Sequence, residues 1–183
     1  KMKKFLKYEL DGYFGGRAFE QEAETPLVKC EGQQYIHYKK ASVVMYYMKE
    51  MVGEEKVNSA LKSMVDSFAY KSAPYPTSLS AIRAFRKVTP DSLQYLIDDM
   101  FEHMTLFSNR ALEAKSKAVD GGYEVTFKAT SEKFRTDSLG KESVIPVRDY
   151  VDVVVFGEPN GKQALGDVLV KERVLVTMKD NTF

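Results

Sequence analysis

The chain has 183 residues, a formal net charge of +1, 44% hydrophobic and 29% charged residues, and a single cysteine. So small a net charge excludes a strong field toward nucleic acid or anionic lipid, and the lone Cys30 excludes an internal disulfide framework or a multi-cysteine metal site. Apolar runs such as Val151 to Phe156 fall far short of the roughly 20 residues that cross a bilayer, and the length leaves room for two modest units, each with its own core.

From Lys1 to about Phe107 the apolar residues recur at helical spacing. Met2, Phe5, Leu6, Leu10 and Tyr13 form one face, which the spacing predicts to stop at a turn over Gly12 to Gly16; Lys1, Lys3, Lys4 and Lys7 read as its solvated side. Arg17 to Gln34 is rich in Glu and Gln without periodicity and reads as a loop. A strong helix is predicted over Lys39 to Val52, carrying Val43, Val44, Tyr47, Met48, Met51 and Val52 and ended by Gly53 in a left-handed conformation. Glu54 and Glu55 favour the start of the next helix, with Val57, Leu61, Met64, Val65 and Phe68 as its stripe. Thr77 reads as the N-cap of a helix with Leu79, Ile82 and Phe85, and Thr89-Pro90 as an N-cap followed by proline in the first turn of another, with Leu93, Leu96, Ile97, Met100 and Phe101.

From about Arg110 the pattern alternates with period two. Asp120-Gly121-Gly122 signals a hairpin between Arg110 to Val119 and a return strand with Tyr123, Val125, Phe127 and Ala129 on one face. Further strands are expected over Tyr150 to Phe156, a turn at Pro159-Asn160-Gly161, and two strands near Asp167 to Lys171 and Arg173 to Met178. The fold class is therefore α+β: an N-terminal helical bundle, residues 1–107, followed by a small antiparallel β-sandwich, residues 108–183.

Few residues offer chemistry. His37 and His103 have no partner at metal-ligand spacing, Cys30 has no histidine at a suggestive distance, and Gly12, Gly15 and Gly16 lack the Lys-Ser/Thr that a phosphate loop needs. No cofactor or metal site is expected in this chain.

The run Tyr38-Lys39-Lys40-Ala41, opening an apolar helix that Gly53 closes, resembles the Tyr-x-Lys-Gly segment around the transition-state tyrosine of the M1 family of zinc aminopeptidases, with Ala41 in place of the family glycine. A helical unit followed by a β-sandwich is also how that family joins its catalytic domain to the next. The stretches 33–42 and 75–97 are similar to the bacterial M1-like peptidase regions appended to ABC-type permease segments. The resemblance implies that Tyr38 donates a hydrogen bond to the oxyanion of a tetrahedral intermediate. It also implies a longer parent protein that binds zinc, takes peptide substrates and is associated with a bacterial membrane that this stretch does not itself touch.

The sequence contains no HExxH, begins at Lys1 and ends in what reads as an unfinished strand, so it reads as a piece of that parent, cut after the metal site. Tyr38 is then latent, and the chain is expected to be inactive alone. The alternative is a non-catalytic interaction or scaffold module of a degenerate peptidase-like or transporter-associated protein.

Overall fold

The computed structural model describes residues 1–159, 161 and 165–183. The turn expected at Pro159-Asn160-Gly161 includes Asn160, so that expectation lies outside the described residues. The chain divides into two compact units, one formed by Lys1–Thr105 with Thr136–Glu142 and the other by Leu106–Arg135 with Ser143–Phe183.

The first unit is helical. It contains α1 (Met2–Phe19), α2 (Ala41–Val52), α3 (Glu54–Phe68), α4 (Ser78–Val88) and the short α5 (Tyr95–Ile97). Two π-helical segments adjoin these: Tyr35–Lys40 runs directly into α2, and Asp98–Glu102 continues from α5. The core forms where the i, i+4 series Val44, Met48 and Val52 of α2 meets Val57 and Ala60 of α3, Ile82 and Phe85 of α4, and Leu96, Ile97 and Phe101. Phe85 and Phe101 stack at 5.7 Å between ring centroids. Gly53 takes φ +102° and ψ +143°, a positive-φ but extended conformation that only glycine adopts at low cost, and so turns α2 into α3 without a left-handed helical residue.

Helix α3 presents a different face from the one its sequence suggests. The buried stripe of α3 runs through Val57 and Ala60, which join the core with Ile82 and Phe85 of α4, and leaves Leu61 and Val65 exposed. The Thr77 backbone N–H donates to Ser80 Oγ at 3.3 Å where α4 begins, as its N-cap reading anticipates. Thr89, expected to cap the next helix, instead donates its hydroxyl back to the Phe85 carbonyl at 2.8 Å and so finishes α4. Arg86 then joins α4 to the second π segment, its Nη2 lying 2.5 Å from both Asp98 and Glu102, while Gln94 accepts from its Nη1 at 3.2 Å.

The second unit is built from antiparallel strands, so the α+β reading, helices first and β-structure after, holds. β1 (Met104–Val119) and β2 (Gly122–Thr136) form a long hairpin whose turn residue Gly121 has φ +80°. In the four-stranded sheet, β2 neighbours β1, β3 (Glu142–Ile145) and β6 (Asp180–Thr182), the last in register from Lys128↔Thr182 to Thr130↔Asp180.

β4 (Asp149–Phe156) pairs with β5 (Val168–Val176) in a two-stranded sheet, with an irregularity at Val155/Phe156. The two strands expected around Lys171 and Arg173 are one continuous strand. Lys171-Glu172-Arg173 contains no turn-former, and Lys171 and Arg173, two apart on one face, both grip Asp152 across the ladder at 2.9 and 2.8 Å. Their hydrogen bonds, Arg173's foremost, hold the Asp152 carboxyl down at about 2.

One buried ion pair ties the two sheets together. Lys133 of β2, 4% exposed, places Nζ 2.9 and 3.1 Å from the two carboxylate oxygens of Asp149 of β4, itself 8% exposed. The Arg148 backbone N–H also donates to Asp149, and the Phe107 ring lies beneath the ammonium at 5.3 Å. Asp149→Asn takes the carboxylate away from a buried ammonium and is expected to cost about 3–5 kcal/mol in chemical denaturation, whereas the paired change Lys133→Met with Asp149→Leu is expected to cost less. A cost for Asp149→Asn below about 1 kcal/mol would show that the pair is solvated.

Candidate functional site

Tyr38 stands where α1 crosses the π-helical turn, and the crossing depends on glycine. A Cβ at Gly16 would fall 2.3 Å from the Tyr35 Cβ, and one at Gly12 would fall 3.0 Å from the Lys39 side chain. Both glycines lie within α1, which continues to Phe19. The turn expected over Gly12 to Gly16 is therefore absent: these glycines are there for close approach rather than for flexibility. The buried residue of α1 is Glu9, while Met2, Phe5 and Leu10 of its expected apolar face stay largely exposed.

The helix of Tyr38 begins earlier than its sequence suggests, because Tyr35 and the fully buried Ile36 anchor a further turn at its start. The Ala41 backbone N–H reaches the Ile36 carbonyl, five residues back, which widens the turn by one residue. In a regular helix Ile36 and Val44 would sit roughly 80° apart around the axis; the extra residue brings them to within roughly 20°, so both enter the core. Tyr38 is carried to the opposite side and is 64% exposed. It therefore lies inside a helical turn and not, as expected, at the N-terminus of a helix starting at Lys39.

Two glutamates fix this turn. The Glu24 side chain is 4% exposed, accepts from Tyr13 Oη at 2.8 Å and Lys40 Nζ at 2.7 Å, and forms an ion pair with Arg17 Nε at 3.3 Å. Burial and this carboxylate push the Tyr13 phenol far above its ordinary pKa, which keeps it a neutral donor. Glu9 pairs with Lys39 Nζ at 3.2 Å, and the same ammonium lies 4.1 Å from the centroid of the Tyr8 ring. The Tyr35 ring lies 5.9 Å from that of Tyr13, and its buried hydroxyl has no hydrogen-bond partner among the described residues. Such an orphan costs roughly 1–3 kcal/mol, which the packing of α1 on the turn must outweigh.

The result is an open groove of about 690 Å³, lined by Phe5, Glu9, Gly12 and Gly16 of α1, by Glu20, Gln33 and Gln34, and by Tyr38, Lys39 and Ser42. Glu20 accepts from the Gln21 and Glu22 backbone amides at 2.9 and 3.2 Å and from Gln33 Nε2 at 3.3 Å. These bonds, the one from the Glu22 amide first, hold its carboxyl below the usual range. The groove is thus lined by both a phenol, able to donate, and a carboxylate, able to accept.

The histidines do not join in a metal site. His37 lies against the Tyr38 ring at 4.5 Å, and His103 Nδ1 is 3.2 Å from the Asp98 carbonyl. The structure does bring Cys30 Sγ to 3.9 Å from His37 Nδ1, a proximity that seven positions of separation did not suggest; the thiol also donates to the Gln33 carbonyl. Among the described residues no three His, Cys, Asp or Glu side chains converge as metal ligands, so the residues present do not by themselves fit zinc. Sequence reasoning missed Glu9, Glu20 and Glu24. None carries a signal in the sequence, since what singles each out is a partner 13 to 30 residues away that only the fold supplies.

No family model matches the chain, and no curated protein or solved structure matches it.

Thermal denaturation of two glycine variants tests the crossing. Gly15 meets nothing within 4 Å, so Gly15→Ala is expected to gain up to about 1 kcal/mol from helix propensity. Gly16→Ala drives a methyl into Tyr35 and is expected to lose about 1–3 kcal/mol despite the same propensity gain. Equal stabilisation by both variants would contradict the close contact.

Proposed function

We propose that this chain is part of a zinc-dependent aminopeptidase of the M1 type, in which it supplies the transition-state tyrosine and part of the substrate cleft. The observation that carries the reading is the placement of Tyr38, exposed on the wall of a groove and turned away from the core that its own helix builds. A core position would have argued against it. Support also comes from the Tyr-x-Lys pattern and from the helical unit preceding β-structure, the order that the resemblance implies.

In this reading the peptide lies along the groove beside Tyr38. As the scissile carbonyl becomes tetrahedral, negative charge develops on its oxygen, and the phenol hydroxyl donates a hydrogen bond to it. A rigid helical turn suits this role, since a donor aimed in advance spends no reorganisation energy at the moment of reaction. Zinc ligands and the general base then come from sequence outside this chain, since among its described residues no three such side chains converge. A second reading, a binding module, has one observation in its favour: the β1–β2 hairpin leaves Leu112, Tyr123 and Val125 exposed.

The complete protein carrying Tyr38→Phe tests the first reading with an aminoacyl-anilide substrate. Loss of one hydroxyl donor is expected to lower kcat by roughly 10²–10³ with KM little changed. A complete protein whose hydrolysis survives Tyr38→Phe would overturn the role of Tyr38. One with no aminopeptidase activity would overturn the peptidase reading and leave the binding module.

A further inference from the structure

We infer that the two ion pairs made by the residues after Tyr38, Glu9–Lys39 and Glu24–Lys40, hold the π-helical turn open and thereby fix the tyrosine ring over the groove, with Lys40 and Glu24 as its positioning residues. The inference rests on the reading of Tyr38 as the oxyanion donor, because only a donor of that kind gains from being held in one orientation.

A π turn forgoes the favourable geometry of the α-helix, so an isolated segment relaxes by expelling the extra residue. Here relaxation has two routes. Rotating Tyr35 and Ile36 relative to α2 takes Ile36, which is fully buried, out of the core. Rotating residues 38 to 40 instead keeps the core and moves Tyr38 off the groove wall. Packing opposes the first route; the lysines oppose the second.

Lys39 and Lys40 are neighbours in sequence and so leave the helix axis in different directions. They are anchored in different places. Lys39 reaches Glu9 on α1, and Lys40 reaches Glu24 in the aperiodic segment that follows α1. Both carboxylates are nearly out of solvent, and Glu24 is held from behind by Tyr13 and Arg17. A pair with a carboxylate so buried breaks at higher cost than an exposed one, since the carboxylate would remain desolvated. Lys40 Nζ also lies 3.8 Å from Met104 Sδ, and its side chain is only 20% exposed. One turn further on, Ser42 Oγ donates to the Tyr38 carbonyl at 2.8 Å, which favours a bent helix at this point. Tyr38 is thus gripped through the residues that follow it, leaving its ring free to meet a ligand.

The test uses this chain, with tyrosine rings labelled for NMR and amide hydrogen exchange read residue by residue. In Lys40→Met the methionine keeps the apolar stem and removes the charge. The variant is expected to exchange the Ala41 amide about tenfold faster and to move the Tyr38 ring signals, while the Met48 and Ile97 amides stay as protected as before. Lys40→Arg is expected to restore both, and Lys62→Met, which breaks an exposed pair, to change neither. Glu24→Gln is read in the same way should Lys40→Met fail to fold.

A folded Lys40→Met chain with wild-type Ala41 exchange and unmoved Tyr38 signals would overturn the inference. So would a loss of Met48 and Ile97 protection in both variants, which would make the pairs general supports of the fold. Neither readout involves catalysis, so a complete protein whose activity survives Tyr38→Phe would remove the peptidase role and leave the locked turn standing.

Discussion

The buried carboxylate of Glu24 is the constraint on which the arrangement around Tyr38 depends. Taking a carboxylate out of water costs several kcal/mol unless charge and hydrogen bonds replace its hydration, so a side chain 4% exposed must find strong donors. Three are supplied: Tyr13 and Arg17 from α1, and Lys40 from the π turn. No single element holds all three. Satisfying Glu24 therefore requires α1, the segment after it and the start of α2 to meet at one place, and the glycines of α1 make that approach sterically feasible.

From this meeting follow the groove and its occupants. The wide turn reconciles two demands that a regular helix would set against each other, burying Ile36 together with Val44 while facing Tyr38 outward. An extra residue in a turn is a local cost repaid through tertiary contacts, and such turns recur where function needs a side chain aimed against the helical pattern. The second unit is held by the same kind of device, since Lys133 and Asp149 join its two sheets through a pair whose charges are likewise desolvated. Each unit thus sets a buried carboxylate against a lysine from another element.

Legibility in the sequence follows the range of the interaction that decides each feature. The α2 core stripe, the break at Gly53, the hairpin at Gly121 and the change from helical to alternating period are set by near neighbours, and composition reveals them. Gly16 was misleading for the opposite reason: the sequence shows a breaker, and only Tyr35, arriving from another element, shows why one is needed inside a helix. The one-residue widening before Ala41 leaves no compositional mark, because the same residues would serve a regular turn. Strand β5 looked like two strands for want of the Asp152 partner that makes its charged centre favourable. Tyr38 itself was found through its motif, whereas the side chains that place it were found through geometry alone.

A high-resolution crystal structure of this chain tests the central claim most directly, through two features in one map. The account requires the Ala41 backbone N–H to bond the Ile36 carbonyl and the Glu24 carboxylate to lie out of solvent, contacted by Tyr13, Arg17 and Lys40. A regular helix through residues 35–41, with the Ala41 amide bonded to the His37 carbonyl and Glu24 hydrated at the surface, would contradict it.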